Sequence, residues 1–139
     1  MTIETLEQYY GTASNINAIN EQLRTMYSSV HSPAPNPSGV HGTDPGDPTA
    51  RTALRIIALK DQLEQEHLRL LDLAEEIEAW LLTVTDMEIV SIIRWHYLLR
   101  LNWKQTNIKV YGYPDYDYCR KKIQRYFQKL SEMSESKSV

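Results

Sequence analysis

Residues 85–130, TDMEIVSIIRWHYLLRLNWKQTNIKVYGYPDYDYCRKKIQRYFQKL, decide the fold. Thr85-Asp86-Met87-Glu88 has the order of a capping box, so a helix is expected to start there. Its body, Ile89 to Leu99, is apolar almost all round, which marks the buried hub of a small domain. Asn102-Trp103-Lys104-Gln105 is a second cap, with Gln at the third helical position, and a short helix follows to about Tyr111. Gly112 suits the left-handed position just past a helix end. Pro114-Asp115 is expected to open a last helix running to about Leu130. Cys119, Ile123, Tyr126, Phe127 and Leu130 form its apolar side at helical spacing.

Working outward, residues 49–84 carry Ile56, Leu59, Leu63, Glu66, Leu70, Leu73, Ile77, Trp80 and Val84 in steps of three and four, a heptad seam with one polar member. Asp47-Pro48 is a good start signal for this helix. A helix of about 50 Å cannot bury such a stripe alone, so it needs the first helix, a second subunit, or both. A homodimer through the long helix is therefore expected. Glu75, Glu76 and Glu78 read as a solvated face. Residues 1–30 repeat helical spacing from Ile3 to Val30 and make one N-terminal helix, with a bend expected near Gly11. Residues 31–48 hold five of the six prolines and three of the five glycines, so they read as a linker, expected to be mobile. Residues 132–139 form a tail. The fold class is all-α: an N-terminal helix, a long coiled-coil-like helix, and a three-helix domain over 85–131.

The net charge of −3 conceals an asymmetry. Residues 1–93 have 5 Lys/Arg against 14 Asp/Glu, and residues 94–130 have 9 Lys/Arg against 2 Asp. A basic end on an acidic body suggests a polyanion-binding surface, or a helix pair with complementary charge. One cysteine excludes an intramolecular disulfide and leaves no thiol cluster for zinc. No apolar run approaches the ~20 residues of a membrane span, and the start is not a secretory signal. A cytoplasmic protein is expected. No phosphate loop, no nucleophile–base order and no acidic metal cluster is present, so neither enzymatic activity nor a cofactor is expected.

A hub helix, a short helix, a glycine turn and a basic helix follow the order of a helix-turn-helix. The residues Ile92-Ile93-Arg94-Trp95-His96-Tyr97, then Leu101-Asn102-Trp103-Lys104, then Arg120-Lys121-Lys122-Ile123 and Leu130 resemble the sigma-factor region that reads the upstream promoter element. More closely, the chain resembles small phage and prophage regulators of Gram-positive bacteria, the RinA and ArpU types of late-gene regulator. That resemblance implies a sigma-like helix-turn-helix, duplex DNA as partner, host RNA polymerase as a second candidate partner, and regulation of phage genes in the bacterial host. An interaction module docking on a host or phage protein, and a DNA-packaging recognition subunit, are the alternatives.

With the apolar side of the last helix turned inward, Asp117, Lys121, Gln124, Arg125 and Gln128 face outward, flanked by Arg120, Lys122 and Lys129. Arg, Lys and Gln can reach phosphates and base edges. Lys104 and Gln105 at the start of the short helix, and Tyr116 and Tyr118 beside the basic helix, complete the expected DNA-contact set. Interleaved aromatic and basic side chains also suit stacking on unpaired bases. Trp95, Trp103 and Phe127 are expected in the core, with Tyr113, Tyr116 and Tyr118 exposed. His96 and Cys119 are expected as buried structural residues.

Overall fold

The computed structural model describes residues 1–31 and 48–137. Among them are five α-helices, one π turn and no strand: α1 (Ile3–His31), α2 (Pro48–Leu81), α3 (Met87–Ile93) continued by a π turn (Arg94–Leu98), α4 (Trp103–Tyr111) and α5 (Tyr118–Lys137). The fold is all-α. The expected linker and its start signal at Asp47 lie outside the described residues.

The chain divides into two compact units, residues 12–69 and residues 1–11 with 70–139. In the first, Ile19 and Leu23 of α1 bury themselves against Ile56 of α2, with Met26, Tyr27, Leu59 and Leu63 packed around them. This part of the α2 stripe is thus covered by α1 of the same chain, and its burial there needs no second subunit. Leu54, Ile57 and Leu68, off the seam, are exposed. Gly11 leaves α1 unbroken, because a lone glycine mid-helix lowers stability without ending hydrogen bonding.

The second unit carries the larger core. Ile77, Leu81 and Val84 pack with Ile89, Ile92, Ile93 and Tyr97 and with Cys119, Ile123 and Phe127 of α5. Leu6 of α1 is fully buried in the same cluster. The first turns of α1 are therefore part of the domain formed by α3, α4 and α5.

Three local readings are corrected. The cap of α3 is Asp86, not Thr85: the Asp86 carboxylate accepts from the Glu88 and Ile89 amides at 3.0 and 3.4 Å. Glu88 is engaged elsewhere, as described below. The hub helix widens into a π turn, with the Leu99 amide on the Arg94 carbonyl at 2.9 Å. The chain then reverses through Arg100 at φ 60°. Finally, α5 begins at Tyr118 rather than at Pro114-Asp115, and it runs past Leu130 to Lys137. The Asp115 carboxylate explains the delay: it accepts from the Asp117 and Tyr118 amides at 2.8 and 3.0 Å, making a side-chain turn ahead of the helix. Those two amides hold its pKa below the ordinary value. The second capping box is present as expected, with Asn102 and Gln105 exchanging bonds and Gly112 ending α4 at φ 88°.

Candidate nucleic-acid interface

The turn between α4 and α5 is fixed from beneath. Asn107 is fully buried. Its amide nitrogen donates to the Tyr113 carbonyl at 2.7 Å, and its oxygen accepts from Cys119 Sγ at 3.2 Å. Burial pushes the Cys119 thiol up to about 11, Asp115 adding to the effect, so the thiol stays protonated and can donate. At the other end, His96 stacks on Trp103 with ring centroids 3.4 Å apart. Its Nδ1 lies 2.7 Å from the Leu101 carbonyl, which requires a proton on that nitrogen. Burial lowers its pKa, so the ring is neutral. Trp103 packs on the core, whereas Trp95 stays outside that cluster, half-buried, with Lys109 Nζ 5.3 Å from its ring centroid.

On this platform the polar side of α5 divides in two. Lys121, Arg125 and Lys129 lie four residues apart, so each is about 6 Å further along the helix. They line one concavity of about 340 Å³ together with Tyr118, Ile89 and Asp86. None of the three takes part in an ion pair among the described residues. The neighbouring cations are committed. Arg120 pairs with Asp117 at 2.7 Å. Lys122 donates to Glu88, which also accepts from the Tyr111 hydroxyl at 3.2 Å. The Lys122 bond holds the Glu88 carboxyl below its usual range, and Glu88 holds the Lys122 ammonium above its own.

The other side of α5 has different neighbours. Gln124 and Gln128 line a groove with Glu4 and Glu7 of α1, and Gln124 and Arg120 border a pocket lined by Glu7, Tyr10 and His96. A duplex lying across the two glutamines would bring phosphates towards those carboxylates, at a like-charge cost.

The expected contact residues are thus only partly brought together. Lys121, Arg125 and Tyr118 share one surface, and Lys129, expected only as a flank, joins them. Gln124 and Gln128 are exposed but lie on the α1 side. Gln105 spends its side-chain oxygen on the Asn102 amide at 3.2 Å. Lys104 sits over exposed Tyr116, its Nζ 5.8 Å from the ring centroid. Tyr116 and Asp117 belong to the turn, not to the helix. Sequence reasoning missed Asn107 and the Glu88–Lys122–Tyr111 cluster. A polar residue one turn after Trp103, on the inward face of a short helix, was the available signal for Asn107.

Among the described residues no group of His, Cys, Asp and Glu is placed to hold a metal ion, and no helix is long and apolar enough to cross a membrane. No family model matches the chain, and no similar protein was found among curated proteins or solved structures.

Proposed function

We propose that the protein binds duplex DNA through α5, and that it regulates phage genes in the cytoplasm of a bacterial host. One observation carries the DNA reading: Lys121, Arg125 and Lys129 form an exposed row that enters no ion pair among the described residues, while the cations beside them are paired. A row of cations outside any ion pair suits phosphate binding. The order of α3, α4 and α5 supports the same reading, although Gly112–Asp117 is longer than the roughly three to four residues usual in a helix-turn-helix turn. The phage role, and a contact with host RNA polymerase, rest on the resemblance of the sequence to late-gene regulators.

Fluorescence anisotropy on specific and random duplexes tests the reading. Lys121→Ala and Arg125→Ala should each weaken binding to all sequences alike, and Glu75→Ala should bind as the parent does. A parent that binds no DNA at low salt would sink the proposal and leave the row as a docking surface for an acidic protein. A homodimer through α2 would use exposed Leu54, Ile57 and Leu68. Sedimentation at micromolar concentration reads it, and a ring of many subunits would favour the DNA-packaging alternative.

A further inference from the structure

The row of cations on α5 does not end in solvent. Tyr118, Lys121, Arg125 and Lys129 follow one another at steps of three, four and four, so they share a face, and all four line the same concavity. Tyr118 is 45% exposed. Its ring is nonetheless held: it packs edge-to-face on Tyr111 at 5.1 Å, and its backbone amide is fixed by Asp115. Tyr113, 48% exposed, lies 6.4 Å from the same Tyr111 ring. An aromatic face anchored below, open above and placed at the head of a cation row has no role in the core.

We infer that this surface takes a DNA strand with an unstacked base, the phosphates following Lys121, Arg125 and Lys129 and the base lying on Tyr118. The inference rests on the DNA reading of the same face and names the state of the DNA it prefers. Two features favour an unpaired base over a fully stacked duplex. A concavity receives a group that projects, and bases in an intact duplex do not project. The rigid ring offers stacking without ordering a flexible side chain, and base–aromatic stacking tolerates any sequence. Asp86, the one acidic side chain among the described residues that line the concavity, repels phosphate and leaves its wall to a neutral base.

The test uses the full chain and three labelled probes of equal length: a matched duplex, the same duplex with a three-base bubble, and the single strand. The parent should bind the bubbled duplex roughly 5-fold to 160-fold more tightly than the matched one, the range given by one base stacked on one ring. Tyr118→Leu keeps an apolar contact for Tyr111 and should abolish that preference, so that it binds bubbled and matched duplexes alike. Tyr118→Phe should retain it. Lys121→Ala should weaken all three probes. Helical circular dichroism equal to that of the parent shows that each variant is folded. A parent that binds bubbled and matched duplexes alike, or a Tyr118→Leu variant that keeps the preference, overturns this inference and leaves duplex binding standing. A parent that binds none of the probes overturns both.

Discussion

Asn107 should be the polar residue on which the candidate interface most depends. Asn107→Ala removes two neutral hydrogen bonds, to the Tyr113 carbonyl and from the Cys119 thiol. Two such bonds are worth about 1–3 kcal/mol. The thiol is a weak donor, and the Asn107–Tyr113 bond is only part-buried, so water can replace part of it and the lower half of that range applies. The vacated volume in a site with no exposed surface adds about 1 kcal/mol. The expected loss is about 2–3 kcal/mol. Asn107→Asp is the sharper variant. Ionised, its carboxylate faces the Tyr113 carbonyl with no donor between them, which adds a further cost of about 1–3 kcal/mol. Protonated, it regains an O–H donor for that carbonyl. Burial raises the folded pKa of such an acid, so its contribution to stability is present at low pH and lost as pH rises through the folded value. Asn107→Asp should therefore be closer to the parent at pH 4 than at pH 8. Urea titration followed by tryptophan fluorescence reads this unit alone, because Trp80, Trp95 and Trp103 all lie within residues 70–139. An Asn107→Ala variant within about 0.5 kcal/mol of the parent, below the usual worth of even one such bond, would refute the argument. So would an Asn107→Asp variant whose deficit is independent of pH.

Three further outcomes are expected. Asp86→Ala should cost about 0.5–2 kcal/mol as the loss of a helix cap, while Thr85→Ala should leave urea stability nearly unchanged; the reverse order would restore Thr85 as the cap. Ile92→Ala, at a site with no exposed surface, should cost about 2–5 kcal/mol, measured by the same titration. His96 has a folded pKa below its ordinary 6.5, so the unfolded chain takes up the proton first on acidification. Its contribution to stability is thus present above pH 6.5 and lost as pH falls through the folded value. His96→Asn, which keeps a donor for the Leu101 carbonyl, should flatten the stability profile in that window, and an unchanged profile would show that His96 is not the titrating group.

Elements were legible in the sequence where one strong local signal ruled. The seam from Ile56 to Trp80 is buried or half-buried at every position, because a long amphipathic helix has no competing pattern; Val84, expected in the same helix, is buried instead in the connection after α2 ends at Leu81. Asn102, Gln105 and Gly112 did what their types favour. The start of α5 was misplaced because Pro114-Asp115 reads equally as a helix opening and as a turn. The Asp115 side chain settled the choice by binding two amides ahead, a contact that spacing does not reveal. Glu88 left the expected capping box because Lys122 and Tyr111, far along the chain, compete for its carboxylate. The basic face of α5 was visible in the sequence, and its division was not. Which cations are paired, and which side lies against Glu4 and Glu7, depend on tertiary neighbours that no helical wheel contains.

The central claim is that Lys121, Arg125 and Lys129 together meet DNA phosphates. The direct measurement is the dependence of duplex affinity on salt for the parent and for the triple variant Lys121→Ala, Arg125→Ala, Lys129→Ala. Each phosphate neutralised contributes about 0.9 to the slope of log affinity against log salt. The parent should show a steep slope, and the triple variant one shallower by about 2–3. Equal slopes, or a parent whose affinity does not change with salt, would contradict the account.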